Sequence, residues 1–298
     1  MNWFEGFEQH VWQAGDITIT GRTGGNRAKP VLVLIHGFPQ SHVMWQRVAI
    51  SLKDDFFIVM PDLRGYGDSS KLPATQDHAQ MSKRAMAADI VGVLDQLNIP
   101  QAHVCGHDRG ARVAHRLALD HPQRVNKLCL IDIAPTLDMY DRTDMAFARS
   151  YYHWFHLIQP TPLPEKMIAG CWREYLHAKL GGWGGSGAGF IEPQALAEYE
   201  RIFQKSDTLT AMCEDYRASA GIDLEHDRAS RAGGEKIACD TLILWGERGV
   251  VHRLFKPLQL WQAQCSASVT GYALPSGHFI PEELPQPTVD ALRRFFGT

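Results

Sequence analysis

Five short apolar runs punctuate the chain, at 31–35, 56–60, 102–105, 127–131 and 241–245. They are mostly aliphatic or β-branched and lack the polar alternation of a half-solvated strand, so each predicts a strand buried on both faces, as in a parallel sheet. Between them, 85–97 and 111–119 repeat apolar positions at helical spacing. This alternation predicts an α/β fold with a mostly parallel, doubly wound sheet. It stops after Asp132-Ile133-Ala134-Pro135. From 137 to 216 the chain is rich in Trp, Tyr, His and Phe, with helical stretches and no clear strand. The glycine-rich stretch 181–189 reads as a flexible loop. The pattern therefore predicts a helical cap at 137–216, inserted between core segments 1–136 and 217–298.

Composition narrows the class. Of 298 residues, 45% are hydrophobic and 21% charged, ordinary for a globular chain that buries a sizeable core. A formal net charge of -3 gives no basic footprint, which argues against nucleic acid or an anionic membrane as partner. The N-terminus carries Glu5 and Glu8 where a leader needs basic and then apolar residues, and no apolar run approaches the ~20 residues of a membrane span. The cytoplasm is the expected location. Six cysteines lie far apart with no CxxC pair and no zinc-ligand spacing, so free, mostly buried thiols are expected.

The strand at 102–105 runs into Gly106-His107-Asp108-Arg109-Gly110 and then a helix. Glycines two before and two after a central residue suit a sharp strand-to-helix turn, where side chains would clash as the backbone doubles back. Asp108 is left at the apex, where a catalytic serine stands in many hydrolases. Taken alone, it could be only the cap of the helix that follows.

This segment resembles the nucleophile turn of the carboxylate-nucleophile α/β-hydrolases, which include haloalkane dehalogenases, epoxide hydrolases and fluoroacetate dehalogenases. The likeness extends over nearly the whole chain. His36-Gly37-Phe38-Pro39 follows the first buried strand, and 61–69 is similar to the family's structural turn after the next. The resemblance implies an α/β-hydrolase fold, Asp108 as nucleophile, and an oxyanion hole from the backbone N–H groups of Phe38 and Arg109. It implies His278, in Ser276-Gly277-His278-Phe279, as base. Many relatives take the acid of the triad from a Trp-Gly-x-x-Asp loop; here Trp245-Gly246-Glu247-Arg248-Gly249 has glycine at that place. Asp132 is the alternative position, with Glu247 as runner-up. The scheme calls for no metal and no cofactor.

Arg109 stands where haloalkane dehalogenases and most epoxide hydrolases carry tryptophan, and Arg112 follows on about the same helical face. Two guanidiniums suit a substrate carboxylate, although either could simply pair with a core acid such as Asp132 or Asp62. His153, Trp154 and Tyr216 are similar to the halide pocket of fluoroacetate dehalogenases, and Trp183 is a candidate pocket wall. The expectation is a haloacetate dehalogenase that converts fluoroacetate to glycolate and halide, with a small anionic haloacetate as ligand and, by the resemblance, a homodimeric assembly. The alternatives are an epoxide hydrolase using Asp108 and His278, and a non-catalytic ligand-binding member of the fold.

Overall fold

The computed structural model describes residues 3–183 and 187–297. Eight strands form one sheet: β1 (Phe7–Ala14), β2 (Ile17–Gly24), β3 (Val31–Ile35), β4 (Phe57–Pro61), β5 (Ala102–His107), β6 (Val125–Ile131), β7 (Thr241–Gly246) and β8 (Val269–Leu274). Their spatial order is β1-β2-β4-β3-β5-β6-β7-β8. The β1–β2 and β2–β4 pairs are antiparallel and the other pairs parallel. The five apolar runs are five of the six parallel strands. Leu32 to Ile35 are fully buried, as are Leu128 to Ile131. Each such side chain contributes roughly 1.5–3 kcal/mol through removal from water, so the central strands define the core.

Helices α1 (Gln46–Leu52), α2 (Lys83–Gln96) and α3 (Arg109–Asp120) follow β3, β4 and β5. Helix α1 packs with the C-terminal helix Pro285–Phe296, and α2 packs with α3. Between β6 and β7 the described residues form helices and no named strand, from Thr136–Asp141 to Ile222–Ala232. The boundary read at 216 falls inside the helix Ser206–Ala220, so there is no linker at that point. Part of the expected glycine loop, 184–186, lies outside the described residues, while Gly181 and Gly182 end the helix Trp172–Gly182.

The chain order reverses between β3 and β5, which lie side by side although β4 separates them in sequence. A crevice forms at the carboxyl ends of strands at such a switch point. Phe38 follows β3 and Asp108 follows β5, so the turn that carries each residue opens on this crevice. All six cysteines are free, four of them buried. Among the described residues no helix is long and apolar enough to cross a membrane.

Candidate active site

The turn after β5 is sterically over-determined. A Cβ on Gly106 would stand 2.5 Å from the Gly110 carbonyl oxygen, and one on Gly110 would stand 2.2 Å from that of His36. Neither position tolerates a side chain. Between them Asp108 takes φ 50, ψ -114, a conformation that L-residues rarely adopt and that costs of order 1–3 kcal/mol. It occupies the cap position of α3, yet its side chain caps none of that helix's N–H groups. Instead Oδ1 accepts a hydrogen bond of 3.0 Å from the Phe38 N–H. Helix capping therefore does not explain Asp108.

His278 follows β8, and its Nδ1–H donates to Asp132 Oδ2 at 2.5 Å. The Gly246 N–H donates to Asp132 Oδ1 at 2.9 Å, so both acid oxygens are engaged. Among the described residues His278 Nε2 has no hydrogen-bond partner, and it lies 3.7 Å from Asp108 Oδ2. A Cβ on Gly249 would stand 3.4 Å from Asp132 Oδ1, so the two acid positions weighed from the sequence converge on one spot. Glu247 is exposed and takes no part. His107 accounts for the far side of the base: its Nε2–H donates to the His278 carbonyl oxygen at 2.9 Å. Burial pulls the His107 imidazole down to about 3, leaving it neutral.

Burial raises the Asp108 pKa, but the charge of His278, with those of Arg112 and Arg109, outweighs it and holds the carboxyl below the usual range. For His278 burial opposes the imidazolium, and the bond and charge of Asp132 with the charge of Asp108 reverse this, raising its pKa. The arrangement holds an ionised carboxylate beside an oriented imidazole.

The two arginines differ from the expected pair of uncommitted cations. Arg109 is fully buried, and its Nε and Nη2 donate to Asp215 Oδ2 and Oδ1 at 2.8 and 2.6 Å, with Nη2 also reaching Ser219 Oγ at 2.6 Å. Among the described residues, its Nη1 lacks a partner. The acid that pairs it is Asp215, neither Asp132 nor Asp62. Asp62 serves the structural turn, where Oδ1 accepts from the His42 N–H at 2.7 Å. Among the described residues Arg112 is the one without an acid partner. Its Nη1 donates to the Ala134 carbonyl and Thr136 Oγ1, its guanidinium lies 4.8 Å from the Trp154 ring centre, and its Nε has no partner. Burial and the nearby Arg109 lower its pKa, with Asp108 the first group opposing them.

Helices between β6 and β7 bring His153 and Tyr216 against Phe38, with Trp154 beside Tyr216. His153 stacks on the Phe38 ring at 5.9 Å, and its centroid is 5.5 Å from that of Tyr216. The Trp154 and Tyr216 centroids are 6.4 Å apart. The Tyr216 hydroxyl and His153 Nδ1 are buried without partners among the described residues. Burial holds His153 neutral and Tyr216 protonated, so both can donate to an anion. The Trp183 ring lies 5.1 Å from His278 and 4.6 Å from His153, and its carbonyl accepts from the His278 N–H at 3.0 Å. Sequence reasoning missed Asp215, Tyr66, whose hydroxyl donates to Asp215 at 2.6 Å, and Lys83, which pairs with the same acid. The available signal was the adjacency of Asp215 to Tyr216.

The glycine-clamped turn after β5, the backbone N–H after β3 and the histidine after β8 thus meet at one place, and a family model described as the α/β hydrolase fold matches residues 30–283. The chain belongs to the α/β-hydrolase family. Fluoroacetate dehalogenase of a Burkholderia species is 41% identical over 98% of this chain and 94% of its own length. Soluble epoxide hydrolase of Corynebacterium sp. (strain C12) is 32% identical over 89% of each. The crystal structure of an α/β hydrolase from Nostoc sp PCC 7120 superposes with TM-score 0.95 at 48% identity, covering 98% of this chain and 99% of that one.

Proposed function

We propose that this α/β-hydrolase is a haloacetate dehalogenase that turns fluoroacetate into glycolate and fluoride. One observation carries the reading: the buried guanidinium of Arg112 stands near an ionised Asp108 with no acid of its own among the described residues. A buried cation without a partner is costly, and a substrate carboxylate supplies the missing charge. The free Nη1 of Arg109 adds a second donor. Similarity to the Burkholderia fluoroacetate dehalogenase supports the same substrate class.

The bond at Oδ1 leaves Asp108 Oδ2 as the attacking atom. Its electron pair forms an ester to the methylene carbon, and fluoride departs with the C–F pair toward His153, Trp154 and Tyr216. Donors aimed at a small hard anion strengthen as charge collects on it, which favours the transition state over the bound substrate. His278 Nε2 then takes a proton from water, and the hydroxide adds to the ester carbonyl. The oxygen of that carbonyl is the former Oδ1, already against the Phe38 N–H, with the Arg109 N–H as second donor. Collapse releases glycolate, protonated by His278, and restores Asp108. Asp132 orients the imidazole throughout, and Trp183 limits substrate size.

The epoxide hydrolase reading draws support from the Corynebacterium relative. Against it, His153 stands where those enzymes usually carry one of two ring-opening tyrosines. Halide release from fluoroacetate and chloroacetate, run beside styrene oxide opening, decides between them. Haloacetate turnover is expected; epoxide opening without halide release would overturn the proposal. A cytoplasmic homodimer is part of the same reading, tested by sedimentation and by cell fractionation.

A further inference from the structure

Lys179 lies on the cap helix Trp172–Gly182 and is only 2% exposed. Among the described residues it has no hydrogen bond and no acid within ion-pair reach, and burial is the one influence on its ionisation. Its ammonium sits among aromatic faces, 3.7 Å from the ring centre of Tyr152, 5.2 Å from Tyr175 and 5.5 Å from Trp183. Cation–π contacts replace only part of the hydration a lysine loses on burial, and the pKa falls to about 8. The group is therefore mostly charged at neutral pH, with N–H donors that no acceptor among the described residues uses.

Its position suggests what those donors are for. Trp183, one wall of the cage, also touches His153 and His278, so the ammonium stands one aromatic layer outside the leaving-group pocket. On the other side Tyr152 is 46% exposed. Tyr152 and Tyr175 also line a surface hollow of about 370 Å³ with His156, whose two ring nitrogens are likewise without partners. A cation thus lies between the pocket where halide is formed and the outside.

We propose that Lys179 and its aromatic cage form a second anion site, which takes the halide from His153, Trp154 and Tyr216 on its way to solvent. The inference rests on the haloacetate reading. Within the pocket the halide is held by neutral donors, and a free ammonium one layer away offers a full charge and unused N–H groups. The substrate carboxylate is served by the arginines of α3, so the anion that needs this cation is the halide.

The test compares wild type with Lys179→Met and Lys179→Arg. Bromide binding is read by quenching of tryptophan fluorescence without turnover, and fluoride inhibition is read on fluoroacetate hydrolysis. Lys179→Met should weaken both by about tenfold or more, leave the single-turnover displacement rate near wild type, and slow steady-state turnover; Lys179→Arg should restore halide affinity. Unchanged bromide binding in Lys179→Met would overturn the proposal. So would a loss confined to kcat/KM for haloacetate, which would make Lys179 a guide for incoming substrate. If Lys179→Met fails to fold, Lys179→Gln keeps the comparison open, since it removes the charge and retains a polar end. An enzyme that binds bromide through Lys179 yet releases no halide from haloacetates would refute the parent function and leave the anion site standing.

Discussion

Ester formation at Asp108 should reset the acid–base state of His278. In the free enzyme the Asp108 anion lies 3.7 Å from His278 Nε2 and helps hold the proton there. Two unit charges at that distance interact by roughly 4 kcal/mol at an effective dielectric of about 20. Alkylation removes this contribution, while the 2.5 Å bond to Asp132 stays. The sign follows: the free enzyme keeps imidazolium up to a raised pKa, and in the ester that pKa drops, so the base form extends to lower pH. The value of kcat/KM reports the free enzyme, where Asp108 must be ionised, and its depressed pKa keeps it so well into acid. Ester hydrolysis needs neutral His278 and sets the acid limb of kcat. Rapid-quench fluoride release at about pH 5, where histidine titrates, should therefore show a burst of one equivalent ahead of a slow steady state. At about pH 8 the burst should be smaller relative to turnover. Matching acid limbs for kcat and kcat/KM, with no burst at low pH, would show that the Asp108 charge does not control the base.

Asp108→Asn should release no halide, whereas His278→Asn should release one equivalent and accumulate an enzyme ester visible by intact mass; repeated turnover in either would refute the assigned roles. Arg112→Lys keeps the charge but loses the planar fork, so kcat/KM for haloacetate should fall sharply with little change in urea stability. Haloacetamide turned over as well as haloacetate by wild type would remove the carboxylate clamp. Tyr216→Phe deletes one donor to the leaving group, worth about 3 kcal/mol or ~100-fold on the displacement step with fluoroacetate, and the loss with chloroacetate should be smaller; equal losses would reduce Tyr216 to packing. Asp215→Asn leaves Arg109 and Lys83 facing a neutral amide in the core, and urea unfolding should show a loss of about 3–5 kcal/mol.

Legibility in the sequence followed the physics that placed each residue. The turn at Asp108 was readable because clashes at Gly106 and Gly110 act locally, leaving a spacing rule in the chain. The pairing of Asp132 with His278 was expected only through family resemblance, which supplied both the acid place that Gly249 leaves empty and its alternative on the neighbouring strand. The central strands announced themselves as apolar runs because both faces are buried. By contrast β1, β2 and β8 went unread. In β1 only Phe7 and Trp12 are buried while Val11 is 65% exposed, and β8 alternates between part-buried and exposed positions along most of its length. Asp215 was hidden because its partner lies 106 residues away. In the run Glu214-Asp215-Tyr216-Arg217 it reads as one more charge on a solvated helix, yet that helix is buried there on several faces. The grouping of His153, Trp154 and Tyr216 came through family resemblance alone, since no spacing rule joins the first two to a tyrosine on a later helix.

The near-coincidence of Gly249 with Asp132 bears on how such enzymes change over evolutionary time. The ends of β6 and β7 offer two attachment points for a single acid, since a Cβ on Gly249 would stand 3.4 Å from Asp132 Oδ1. No single substitution carries the acid from one strand to the other. If aspartate arises at Gly249 first, two like charges crowd each other within contact distance; if Asp132 is lost first, the imidazole has nothing to orient it. Both intermediates are impaired, for opposite electrostatic reasons. The strand that carries the acid should therefore behave as an ancestral marker, shared by descent among lineages whose substrates have long since diverged.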